Sequence, residues 1–106
     1  MKNMKLKSIL NEIENVINFK ITLFTNRGLK ETEYAMNIND MTEWVNDEIS
    51  RYSYQLNNSI KNYNDNAKTD KLYKKSAIAH KQKKDIIGYK QSIKNLQLLK
   101  NKYSIQ

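Results

Sequence analysis

Met41, Val45, Ile49, Tyr52, Leu56, Ile60 and Tyr63 recur three or four residues apart, with Trp44 alongside. This spacing places them in one stripe along a helix of about six turns. Such a stripe is stable in water only when another element covers it. The chain supplies a cover a few residues on. Leu72, Ala79, Ile86 and Ile93 fall seven apart, flanked by Ile78, Tyr89, Leu96, Leu99 and Tyr103. A seven-residue repeat keeps an apolar seam turned toward a partner helix. With no proline and only two glycines in 106 residues, little interrupts either pattern. The two segments predict an antiparallel helical hairpin about 35 to 50 Å long. Its first helix covers 40–63, opened by a capping box of Asp40 and Glu43. Asn64-Asp65-Asn66 marks the break. Thr69 and Asp70 cap a second helix over 69–103.

Ahead of the hairpin the period changes. Phe19, Ile21 and Leu23 alternate with Lys20, Thr22 and Phe24, and Lys30, Thr32, Tyr34 and Met36 alternate with Glu31, Glu33 and Ala35. Period two with aromatic and β-branched residues predicts strands. Thr25-Asn26-Arg27-Gly28 between them supplies residues that tolerate positive φ, so the pair reads as a β-hairpin. Two strands alone are marginal in water and must pack on helices or pair with a second copy. Still earlier, Leu6, Ile9, Leu10, Ile13, Val16 and Ile17 predict an amphipathic helix over 3–17. The expected fold is α+β, mostly α, in the order α-β-β-α-α, as one domain over 1–106 with no internal repeat.

Charge is distributed unevenly along this order. Residues 1–66 carry eight Lys/Arg against nine Asp/Glu, whereas 67–106 carry eleven Lys against Asp70 and Asp85. The total of +8 is therefore concentrated in the C-terminal helix. Lys, Asn, Ile and Tyr together make up 51 residues, all spelled by A/T-rich codons, so coding bias alone accounts for part of the lysine content. With Tyr63 facing Thr69, Asp40, Glu43 and Asp47 would lie beside residues 85–92 and offset Lys90 and Lys94. The loop end would keep Lys61, Lys68, Lys71, Lys74, Lys75, Lys81, Lys83 and Lys84, joined by Arg51, with little acid. Concentrated positive charge attracts polyanions by releasing their condensed counterions. Lysine meets phosphate as a point charge, without the bidentate fork of arginine, so backbone contact is expected over base reading. Tyr54 and Tyr73 border the lysines and are candidates for stacking on unpaired bases, although tyrosines at such positions also serve to fill partly buried sites. A solvated lysine face is the competing reading of the same residues.

Other chemistries find little support. No cysteine is present, which removes disulfides and thiolate metal sites and suits a reducing, cytoplasmic setting. His80 stands alone among lysines, with no cysteine to complete a metal site, and reads as a surface residue. Asp40, Glu43 and Asp47 are explained by helix-start electrostatics, and Asn64-Asp65-Asn66 lacks the glycine and terminal glutamate of a calcium loop. No glycine-rich phosphate cradle, nucleophile elbow or Ser/His/Asp set occurs. Neither metal nor cofactor is implied, and a non-enzyme is expected. The basic start is not followed by an apolar run, so no secretion signal is read. No stretch approaches the roughly 20 apolar residues of a membrane span. A membrane surface ranks behind other partners, because the seam is narrow and heptad-spaced.

The sequence thus points to a small, non-catalytic, cytoplasmic and dimeric binding protein that engages nucleic-acid backbone through Arg51, Lys61, Lys68, Lys71, Lys74, Lys75, Lys81, Lys83 and Lys84, with Tyr54 and Tyr73 for stacking. The alternative is a protein-binding inhibitor or regulator of the compact kind that phages and mobile elements encode, anti-defence proteins among them. It would act on a host protein that handles nucleic acid.

Overall fold

A computed structural model describes residues 15–106. Two antiparallel strands, β1 (Ile17–Thr25) and β2 (Gly28–Met36), precede two helices, α1 (Ile38–Thr69) and α2 (Ala77–Lys102), which are linked by a short 3-10 turn at Tyr73–Lys75. The α+β, mostly helical architecture and the β-hairpin therefore form as expected. The predicted 3–17 helix lies outside the described residues except at its end, where Ile17 begins β1 instead.

Alternation along β1 sends Phe19, Ile21 and Leu23 into the core. The hairpin register runs from Ile17↔Met36 to Thr25↔Gly28. Gly28 has φ +96°, a left-handed conformation in which a Cβ is strained, and here glycine is required. Thr25 tightens the turn, its Oγ1 donating to Gly28 O at 2.8 Å and accepting from Arg27 N–H at 3.1 Å.

The sheet packs mainly on α2, through β1. The ring of Phe24 lies over Gly88, so close that a Cβ there would fall 2.2 Å from Phe24 Cδ1. Beside it, buried Ser92 accepts from Phe24 N–H at 2.7 Å and donates to Gly88 O at 3.0 Å. Tyr52 Oη donates to Phe24 O at 2.9 Å, and Asn95 Nδ2 to Thr22 O at 2.8 Å. These side chains satisfy three outward backbone groups of β1, at Thr22 and Phe24, that would otherwise be left bare near a helix. Phe19, Ile21, Leu23, Met41, Val45, Tyr52, Leu96, Leu99 and Ile105 form one core, and Trp44 stacks near Tyr34 and Phe19 at its margin.

Helix boundaries depart from expectation at three places. The N-cap of α1 is Asn37, whose side chain accepts from Asp40 N–H at 2.8 Å, with Asp40 taking the reciprocal position assigned to Glu43. Asn64-Asp65-Asn66 does not break the helix, which continues to Thr69. These residues are each weak helix formers by only a few tenths of a kcal/mol, and without proline or glycine that is too little to end an established helix. Thr69 and Asp70 do not start α2 either. Asp70 leaves the helical region at φ −134°, its Oδ1 accepting from Leu72 N–H at 2.9 Å, and Ser76 caps α2 by accepting from Ala79 N–H at 3.1 Å.

The later start of α2 displaces the facing register by several turns. Lys83 lies over the ring of Tyr63, and Lys100 Nζ donates to Asn46 Oδ1 at 3.0 Å. Asp40, Glu43 and Asp47 consequently do not offset Lys90 and Lys94; the single ion pair among the described residues joins Arg51 to Glu48. Leu72, which the seven-residue repeat assigns to the seam, sits exposed in the turn. The molecule measures 70 × 22 × 22 Å with a radius of gyration of 19.2 Å, where a compact chain of this size would show about 12 Å.

Candidate nucleic-acid interface

The sheet covers one end of the helical hairpin. The helix residues in the core shared with the sheet fall in 41–52 and 96–99, whereas residues 53–87 project as a two-helix rod in which Tyr73 and Ala79 are buried. Burial along the α1 stripe fades accordingly: Met41, Val45 and Tyr52 are buried, whereas Leu56, Ile60 and Tyr63 are only half-buried. A small local cluster holds the far end. The rings of Tyr63 and Tyr73 meet at 5.6 Å. Tyr73 Oη also donates to Gln82 Oε1, and its carbonyl accepts from Ser76 Oγ at 2.6 Å. The connection is thereby fixed to both helices, and the lysines it carries project from a defined backbone.

Residues 53–87 contain eight lysines against Asp65, Asp70 and Asp85, a local net charge of +5. Lys61, Lys68, Lys71, Lys74, Lys75, Lys81, Lys83 and Lys84 are all exposed, and none forms an ion pair among the described residues. Lys68 lies in the last turn of α1, where a cation suits the helix dipole. The Lys83 ammonium, 5.7 Å from the Tyr63 ring centroid, gains modestly from the aromatic face. The rest stand free, and like charges at helical spacing repel by a few tenths of a kcal/mol per pair.

Three candidates from the sequence do not join this exposed, unpaired group. Arg51 belongs to the sheet-covered end, about 15 Å along the helix from Lys61. It forks onto Glu48 at 2.7 and 3.2 Å and lies 4.5 Å over the Tyr52 ring. Its hydrogen bond to Glu48 raises its pKa further above the usual value, against a smaller opposing effect of burial. The charge is fixed and already answered. Tyr73 is 8 % exposed and engaged with Tyr63 and Gln82, so its ring offers no open face for a base. Tyr54, at 66 % exposure, retains a free ring but sits at the root of the rod.

The tip also carries two exposed apolar side chains that periodicity does not single out. Leu72 and Ile78 are each 71 % exposed within the lysine cluster. The seven-residue repeat assigned Leu72 to the seam, and only the position of the Ser76 cap reveals that it lies before the helix. His80 is also exposed there. No group of three His, Cys, Asp or Glu side chains able to hold a metal ion converges among the described residues, and no helix among them is long and apolar enough to cross a membrane. In comparisons with known proteins the chain matches no family model, no curated protein and no solved structure.

Proposed function

We propose that the protein is a non-catalytic binding protein whose lysine-rich hairpin tip engages the phosphate backbone of nucleic acid with little sequence preference. The observation that carries this reading is the group of eight exposed lysines, unpaired among the described residues, at the end of a rod away from the packed core. Release of condensed counterions gives such a tip its affinity. Two packed helices are about 20 Å across, too broad for the ~12 Å major groove of B-form DNA. The tip therefore lies against backbone without reading base edges. Tyr54 alone is open for stacking, which favours electrostatics as the main attraction.

The test is the salt dependence of oligonucleotide binding. If four phosphates are neutralised, affinity should fall on the order of 100-fold between ~50 and ~200 mM salt. Changing Lys74, Lys75, Lys81 and Lys84 together to Glu should abolish it. Absence of binding to duplex and single strands at low salt would overturn the reading.

The exposed Leu72 and Ile78 favour a second reading, since backbone binding has no use for them. Apolar side chains ringed by lysines suit an acidic-rimmed apolar site on a protein that handles nucleic acid, as an inhibitor or regulator would use. Leu72→Ser with Ile78→Ser would then destroy partner capture while leaving any oligonucleotide affinity intact.

A further inference from the structure

The two strands of the sheet are finished differently at their outer edges. On β1, the outward groups of Thr22 and Phe24 are taken up by Asn95, Ser92 and Tyr52. In an antiparallel ladder, residues opposite one another direct their backbone groups the same way, both inward or both outward. Thr22 pairs with Glu31 and Phe24 with Leu29. The backbone groups of Leu29, Glu31, Glu33 and Ala35 therefore point away from the sheet. All four residues are exposed, and among the described residues none of these groups has a hydrogen-bond partner. An edge of nine residues without such partners among the described residues, in a fold that caps the opposite edge at Thr22 and Phe24 with three side chains, is a template for another strand.

Charge identifies what fits. Glu31 and Glu33 line a groove between the sheet and the end of α2, together with Lys20 and Lys102. At the far end of the edge, Met36 and Trp44 line a groove bordered by Asp40, Glu43 and Asp47. Trp44 lies 4.8 Å from the Tyr34 ring of β2, which places this groove under the strand. None of the five carboxylates forms an ion pair among the described residues. Lys30, Lys20 opposite Glu33 and Lys102 in the groove with Glu31 and Glu33 are fewer than the five carboxylates, which leaves the edge net negative. A second copy of the chain is a poor occupant. Antiparallel pairing of β2 about Thr32 sets Glu31 of one copy against Glu33 of the other at both ends, and like charges directly opposed are destabilising.

We infer that the outer edge of β2 takes an extended segment of a partner protein as a third strand. The segment carries Lys or Arg at alternate positions, toward Glu31 and Glu33 on one face or the Trp44 groove on the other. Main-chain hydrogen bonds supply the affinity and the carboxylates the choice of sequence. This surface is distinct from the cationic tip and does not depend on what the tip binds.

The probe is a fluorescein-labelled peptide alternating lysine with threonine, long enough to span β2, followed by anisotropy and by amide shifts of the isotope-labelled full chain. Binding should perturb and protect the amides of Leu29, Glu31, Glu33 and Ala35. Glu31→Lys with Glu33→Lys should weaken it at least about ten-fold, and methylating alternate backbone nitrogens of the peptide should abolish it. No binding at low salt, shifts located elsewhere, equal binding of a glutamate-threonine peptide, or undiminished binding of the methylated peptide would each overturn the inference. So would a dimer of the free protein in which those four amides are already protected.

Discussion

The two ends of the helical hairpin are built from the same two helices and differ in what lies on them. At the sheet end, Met41, Val45, Leu96 and Ser92 are fully buried, and Ser92, Tyr52 and Asn95 close the outward backbone groups of Phe24 and the carbonyl of Thr22. At the far end, Tyr63 and Tyr73 make one ring contact, and the apolar residues Leu72 and Ile78 face solvent. A third layer over half of a hairpin is enough to anchor the whole. The other half is then free to concentrate charge that would destabilise a compact body. Packing and exposed charge are separated along the length of the molecule.

Cavity formation gives the largest contrast between the two ends. Leu96→Ala at the sheet end removes a side chain with no solvent exposure and should cost about 2 to 5 kcal/mol. Leu72→Ala at the tip should change stability by no more than about 0.5 kcal/mol. Thermal or denaturant unfolding compares the two, and equal losses would dissolve the distinction between body and tip.

Next in size is overpacking at the contact of sheet and helix. Gly88→Ala would place a methyl group against the Phe24 ring, which cannot retreat easily because Phe24 N–H and C=O are held by Ser92 and Tyr52. The clash, about 1 to 3 kcal/mol, is offset in part by the roughly 1 kcal/mol that alanine gains over glycine in a helix. A net loss of about 1 kcal/mol is expected, visible as a lower melting temperature. A rise instead would mean that the ring is not seated on Gly88.

How far these ends could be foreseen depends on the range of the interactions involved. The stripe from Met41 to Tyr63 and the alternation from Phe19 to Met36 are local periodicities, and the elements follow them. The helix ends turn on choices among similar polar residues: Asn37 over Asp40 as N-cap, Ser76 over Thr69. Each is decided by one hydrogen bond that composition does not single out. The tip lysines from Lys61 to Lys84 were legible because charge needs no partner to be counted. Burial of Tyr73, and the pairing of Arg51 with Glu48, required the register, which moved with the start of α2. Phe24 on Gly88 joins residues far apart in sequence, and alternation alone placed Phe24 on the polar face.

Titration of Tyr89 bears on the same boundary. This residue sits where the sheet ends and the rod begins, its ring 5.3 Å from Phe24. Burial raises its pKa above the ordinary tyrosine value, with Asp85 adding to the shift. A folded pKa above the unfolded one means that the contribution to stability is complete below the unfolded value and is lost as pH rises through the folded value. Melting temperature should therefore decline as pH climbs past about 10. Tyr89→Phe should flatten part of that decline, and an unchanged slope would indicate that the ring is as solvated as in the unfolded chain.

The smallest effect is expected at Arg51, and it separates the two ends most sharply. Its ion pair with Glu48 is open to solvent on the arginine side, at 57 %, and such pairs contribute about 0 to 1 kcal/mol. Arg51→Ala should lower stability by no more than that. Were Arg51 part of a continuous cationic surface, its removal would also reduce the salt dependence of oligonucleotide binding by nearly one counterion. Because Glu48 already answers its charge and the rod sets it about 15 Å from Lys61, the slope of log affinity against log salt should not change. Lys74→Ala or Lys81→Ala should reduce that slope, and an equal reduction from Arg51→Ala would extend the interface down the rod to the edge of the sheet.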